Sequence, residues 1–240
     1  MAAGARAFCR ACAGRRLTVH PLDNPIWFAL TGLHAPFAEV QGPLRSYPEA
    51  VAPFSAFQDS EALEDALASR SRPVVFFRPS IVPAPPGWTL RQQGEVVQMT
   101  LQSAEHLTPP SPNVTPLVAA DAAEVQDLVA LTRPGPFGAR TMELGAYFGV
   151  REEGRLVALV GERLRLDGYV EVSAVCTHPE ARGRGLAGGL VSHLSRRALG
   201  EGVIPFLHVM ASNGPARRVY ERVGFAERAR LGLSVWVRET

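Results

Sequence analysis

The stretch CTHPEARGRGLAGGL, residues 176–190, decides how the rest of this 240-residue chain is read. Upstream, YVEVSAVCT (169–177) is a β-branched run of strand type that breaks at Pro179. Downstream, LAGGLVSHLSRRAL (186–199) sets Leu186, Leu190, Val191 and Leu194 at helical spacing. Between them lies Arg182-Gly183-Arg184-Gly185-Leu186-Ala187-Gly188. Glycines let a backbone approach a ligand closely and take angles that other residues avoid. A helix opening near Leu186 would aim unpaired N–H groups at that ligand. Its dipole would favour negative charge by roughly 0.3–1 kcal/mol when exposed and up to about 2 when partly buried. Arg184 would add a cation beside the turn, so a phosphate is the expected guest.

Two familiar phosphate motifs fail. A Walker loop needs G-x-x-x-x-G-K-S/T, and the chain has no lysine, all 25 basic residues being arginine. Gly183-x-Gly185-x-x-Gly188 satisfies the dinucleotide pattern literally, but it comes late and follows a hairpin rather than a first βαβ unit. About 20 residues on, where that motif wants an acidic residue, stands Leu207-His208-Val209.

Further out, GAYFGVREEGRLVALVGERL (145–164) predicts a hairpin turning at Glu153–Gly154. AADAAEVQDLVAL (119–131) predicts a helix with Asp121 as N-cap and Glu124 completing a capping box. ALTRPGPFGART (130–141) reads as a loop. PFLHVMA (205–211) is a strand, ARRVYERV (216–223) a helix closed by Gly224, and LGLSVWV (231–237) a last strand. The order β-β-β-α-β-α-β implies a mixed α/β layer. The proline cluster LTPPSPNVTP (107–116) predicts a linker dividing an N-terminal lobe, 1–112, from a C-terminal domain, 113–240. In the lobe, SAFQDSEALEDALASR (55–70) has helical periodicity, PVVFFRP (73–79) is a short strand, and alternation runs from Trp88 onward. Trp27, Trp88 and Phe76–Phe77 read as core.

Composition excludes more than it assigns. A formal charge of +2 is too weak to imply nucleic acid, and no apolar run approaches the 18 or so residues of a membrane span. MAAGARAFCRACAGRRLTVH (1–20) lacks the apolar stretch of a secretory signal. Three cysteines point to a reducing compartment, hence the cytoplasm. Cys9-x-x-Cys12 stands alone, without a second pair, so no metal is expected.

The glycine turn, together with Asn213-x-x-Ala216-x-x-x-Tyr220-x-x-x-Gly224-Phe225, resembles the GNAT superfamily of acyl-CoA N-acyltransferases in its FR47-like branch. Arg182, Gly185 and Ala187 match the family's phosphate motif, Gln/Arg-x-x-Gly-x-Gly/Ala, and the two motifs stand in the family's order. The resemblance covers about 113–240 and implies the GNAT fold. By analogy with two-lobed relatives, the first lobe would be a degenerate copy of it. The resemblance further implies transfer of acetyl from acetyl-CoA to a primary amine by direct attack. The N–H groups of Gly183, Arg184, Gly185, Leu186, Ala187 and Gly188 would hold the CoA diphosphate. Val175, Cys176 and Thr177 would pair with the pantetheine arm through their backbone. Asn213 would bond near the thioester, and Tyr220 would protonate the leaving thiolate, a phenol being protonated at neutral pH.

An alkylamine is only about one part in 2,500 neutral at pH 7, so a base is wanted. Glu171 and His208 both match positions of family bases. Carboxylate and imidazole alike have a bland reading, as exposed strand residue and core histidine. Cys176 reads as a small buried residue rather than a nucleophile. The expected partner is a small-molecule or peptide amine, with monomer and homodimer both open. A catalytically silent acyl-CoA-binding module is the competing reading.

Overall fold

The computed structural model describes residues 20–58 and 63–239; Cys9 and Cys12 lie outside them. The first half holds α1 (Pro25–Leu30), β1 (Glu39–Gln41), β2 (Leu44–Ser46), β3 (Ser55–Ala56), α2 (Leu63–Ala68), β4 (Val74–Arg78) and β5 (Trp88–Leu101). The second holds β6 (Val114–Leu117), α3 (Ala122–Thr132), β7 (Tyr147–Glu152), β8 (Arg155–Leu166), β9 (Tyr169–Thr177), α4 (Leu186–Gly200), β10 (Ile204–Met210), α5 (Gly214–Arg222) and β11 (Phe225–Arg238). No helix among the described residues is long and apolar enough to cross a membrane.

Local chemistry places most of these elements. The β7–β8 hairpin turns at Glu153 (φ 51°) and Gly154 (φ 82°), two successive left-handed residues that match the twist of the flanking strands. α3 starts where expected, but its capping box does not form. Asp121 turns back to accept from Val118 N at 2.8 Å, and Arg151 bridges Asp121 and Glu124 at 2.6 and 2.5 Å. An arginine that can neutralise two carboxylates at once outcompetes the reciprocal cap.

Eight strands form one mixed sheet in the order β4-β11-β5-β10-β9-β8-β7-β6. α4 and α5 cover one face, where Leu190, Val191 and Leu194 pack on Val97, Met99, Val160, Val172 and Leu207. The other face buries Ile26 and Leu30 of α1 against Phe54, Phe77, Val96 and Phe206, and Val125 and Leu128 of α3 against Leu159 and Tyr147. Trp88 and Phe76 are core beside Trp236, as read from the sequence.

The boundary expected at 107–116 does not part the sheet. β4 and β5 come from before it, and β5 lies between β10 and β11. Part of the expected linker is itself a strand, because β6 is an edge where Pro116 has no ladder bond to forfeit. The halves share a connectivity. β1-β2-β3 is an antiparallel meander followed by α2 and then β4, which Val75 ties to Phe54 in a parallel bridge. β7-β8-β9 is likewise followed by α4 and then β10, parallel to β9. The last strand of each half crosses over, β5 onto β10 and β11 onto β4.

Candidate active site

β9 and β10 pair only from Tyr169↔Ile204 to Glu171↔Phe206 and then part. Beyond that point the β10-facing edge of β9 has no strand partner among the described residues. The cause is local: between Leu159 and Gly161 the ladder skips, and Ala174 takes φ 52°, a bulge that bends β9 away. Left-handed alanine is strained, so Ala174→Gly is expected to raise stability by roughly 1 kcal/mol, or about 2–4 °C in Tm by calorimetry. A lower Tm would show that the bulge is not strained.

A cleft of about 1380 Å³ opens at this fork. Val209, on the helix-covered face of β10, lines it, and so do His208 and Met210 on the opposite face. The cleft therefore passes through the sheet.

On the helix side the Arg182–Gly188 turn forms the wall. Gly183 (φ 78°) and Gly185 (φ 79°) are left-handed, and Gly185 caps the 15-residue α4 with no side-chain hydrogen bond. The first helical bond runs from Gly189 N to Gly185 O, so the preceding amides are left for a ligand. Arg184 is not a free cation, because Glu152 holds it bidentately at 2.9 and 2.5 Å. Arg182 bonds Thr177 O. Val175, Cys176 and Thr177 lie on the open β9 edge, and the buried Thr177 Oγ1 has no hydrogen-bond partner among the described residues. These bare amides, this strand edge and this orphaned hydroxyl fit a CoA diphosphate and its amide-bearing arm. Cys176 is buried, and burial pushes its thiol up to about 11, which suits packing rather than nucleophilic attack. Asn213 caps α5 by accepting from Ala216 N at 3.2 Å, leaving its amide N–H₂ to donate into the cleft. Tyr220, on α5, is largely buried but lines the cleft; burial pushes its phenol up to about 12.

At the fork a row of polar side chains crosses five neighbouring strands. Arg228 (β11) donates to Gln98 Oε1 (β5) at 2.8 Å, and Gln98 Nε2 donates to His208 Nε2 (β10) at 3.0 Å. His208 Nδ1 donates to Glu171 Oε1 (β9) at 2.7 Å, and Arg163 (β8) clamps Glu171 at 2.8 and 2.5 Å. Arg228 also pairs with Asp23, and Gln98 spends its second N–H on Leu22 O. Charges cancel along the row when His208 is neutral with its proton on Nδ1. Glu171 is fully buried; burial alone would raise its pKa, but the Arg163 guanidinium and His208 hold it well below the usual carboxylate range. The two residues read from the sequence as alternative bases are thus direct partners: Glu171 is not the exposed strand residue of its bland reading, whereas His208 is a buried histidine with both ring nitrogens bonded, as its own bland reading has it.

On the far side Val75 and Phe77 of β4, Leu233 and Val235 of β11, and Val96 of β5 form an apolar floor, with Pro53 and Phe54 beside it. Thr132, the last residue of α3, and Arg133–Pro136 in the loop after it also line the cleft. Sequence reading missed Arg163, Gln98 and the first-half contribution. Arg163 carried a signal: a charge inside the apolar run LVALVGERLRL asks for a buried partner.

The FR47-like protein family matches residues 147–237. A GNAT-family protein from Novosphingobium aromaticivorans DSM 12444 is 34% identical and superposes with a TM-score of 0.86, over 92% of this chain and 100% of that one. A GCN5-related N-acetyltransferase from Kribbella flavida is similar in fold, at 21% identity and a TM-score of 0.57, over 87% of this chain and 93% of that one. No curated protein matches the sequence. On the likeness to the Novosphingobium protein, carried over its whole length, this chain belongs to the GNAT family of acetyltransferases, in its FR47-like branch.

Proposed function

We propose that this acyltransferase moves acetyl from acetyl-CoA directly to a primary amine that enters from the opposite face of the sheet. The cleft running through the sheet at the β9–β10 fork carries this reading, since it lets donor and acceptor meet from opposite sides. Amides 183–188 and the open β9 edge hold the CoA, with Asn213 near the thioester. Acetyl-CoA supplies the carbonyl carbon that the amine nitrogen attacks, forming C–N as C–S breaks. Tyr220 gives its phenolic proton to the leaving sulfur and regains one from solvent; a phenol held near 12 stays protonated until thiolate develops. Glu171, clamped and depressed, does not take the amine proton at neutral pH. His208, which lines the cleft, takes it at Nε2 in place of the Gln98 hydrogen bond, and the Glu171 carboxylate on Nδ1 stabilises the imidazolium. The shared connectivity of the two halves, with exchanged last strands, supports reading residues 20–112 as a degenerate copy of the same fold.

Titration calorimetry with CoA tests the donor site. Binding is expected for the wild type, and Gly185→Val should weaken it by about 10-fold or more, because a β-branched residue pays at least about 1–2 kcal/mol to hold the left-handed N-cap. No heat with CoA or acetyl-CoA at millimolar concentration would sink the reading.

A further inference from the structure

The ring of His208 stands between two partners that act on its protonation in opposite senses. Nδ1 lies 2.7 Å from the fully buried Glu171 carboxylate, and an opposite charge so close favours a second proton on the ring. Nε2 of the ring lies 3.0 Å from the Gln98 amide. Which end of that amide faces the ring decides the outcome, because an oxygen would accept a second ring N–H and an amide N–H would oppose it.

Two fixed groups settle which end it is. Arg228 can only donate, and it bonds Gln98 Oε1 at 2.8 Å; the Leu22 carbonyl can only accept, and it takes one N–H of Gln98 Nε2 at 2.8 Å. Turning the amide over would set N–H against the guanidinium and oxygen against oxygen. The second N–H of the amide therefore points at the ring, and the single ring proton is left on Nδ1. Arg228 reaches this place because β11 bulges. The ladder skips from Glu227↔Met99 to Ala229↔Gln98, so Arg228 is the extra residue, and Asp23 holds its Nη2 at 2.7 Å. A bulge re-aims a side chain out of the strand alternation, here toward Gln98 and Asp23. The ring plane is kept by Phe77, stacked at 4.8 Å, and by Phe206, edge-on at 5.6 Å. Arg163 bonds Glu171, and Tyr47, whose hydroxyl bonds His34, lies within range of that carboxylate.

We propose that Arg228 and Gln98 are positioning residues for the transfer: they hold His208 as a neutral ring with its lone pair at Nε2, against the pull of Glu171, until an N–H of the acceptor takes the place of the Gln98 amide. The use of this arrangement in catalysis rests on the acetyl-transfer reading above. The amide acts as a latch. While it is in place the base keeps its proton-accepting form at neutral pH, and once it is displaced Glu171 favours the imidazolium that forms.

Ring nitrogen-15 NMR spectra of the full chain test this without any ligand, with His208→Gln identifying the signal among the six histidines. At neutral pH the wild-type ring should carry its proton on Nδ1 and none on Nε2. Arg228→Met removes a nearby cation and one of the two groups that orient the amide, so the ratio of imidazolium to neutral ring at that pH should rise about 10-fold. Gln98→Glu puts an acceptor against Nε2 outright and should raise the same ratio about 100-fold. Arg228→Lys still offers a donor to Gln98 Oε1 and should keep the wild-type ratio. A purely structural Gln98 or Arg228 would change Tm in these variants and leave that ratio alone. A wild-type ring protonated on Nε2 overturns the proposal, and so does an unchanged ratio in either Arg228→Met or Gln98→Glu. Absence of heat with CoA would remove the acetyl-transfer reading and leave the state of the ring as measured, so the two failures are told apart.

Discussion

Tyr220→Phe is expected to slow acetyl transfer about 100-fold in kcat, the lower end of what a positioned acid contributes, with the dissociation constant for CoA unchanged. The substitution removes one oxygen and keeps the ring that packs with Val223 and Phe225, so folding should not change. Burial holds the phenol near 12, so it is protonated at neutral pH and is there as a hydrogen-bond and proton donor when the C–S bond breaks. Two measurements check this: thiol release under saturating acetyl-CoA and calorimetry with CoA. Wild-type turnover in the variant would show that another group, or water, protonates the sulfur. An equal loss of turnover and CoA affinity would instead make Tyr220 part of the binding wall.

The second large effect concerns stability. Glu171→Ala strips the counter-ion from the buried Arg163 and leaves His208 Nδ1 without its acceptor. Removing one partner of a buried pair costs about 3–5 kcal/mol, which lowers Tm on the order of 10 °C in a chain of this size. Glu171→Gln keeps the hydrogen-bond shape without the charge and should lose less. The pH dependence follows from the direction of the shift. A carboxyl depressed in the folded state contributes stability in full above its unfolded value, about 4.3, and loses it as pH falls toward its folded value of about 2. Wild-type Tm should therefore fall more steeply below pH 4 than that of Glu171→Gln. Parallel curves would show that Glu171 is not the stabilising ion.

How much of this was legible beforehand differs from element to element. The β7–β8 hairpin, β9, α4 and β10 lie where period and punctuation place them, because each is decided by contacts within a few residues: a Glu-Gly turn, a β-branched run, a bare-amide helix start. Asp121 and Glu124 show the limit of such local reading. Their capping pattern is correct, but Arg151, 27 residues after Glu124, offers a stronger interaction. Pro116 shows the same limit, since proline excludes a central strand and not an edge, and which strand is an edge is a property of the whole sheet.

Local sequence signals alone reveal the glycine turn before α4, the Asn213–Tyr220 segment and hence the likeness to the family, because left-handed glycines and helix termini are short-range matters of backbone sterics and unpaired amides. That β5 crosses into the second half, and that Arg163, Glu171, His208, Gln98 and Arg228 align across five strands, is set by long-range strand pairing. Those facts depend on strand pairing between residues as far apart as Gln98 and His208. No local propensity encodes such pairing; it is selected by the apolar area that the whole sheet buries at once.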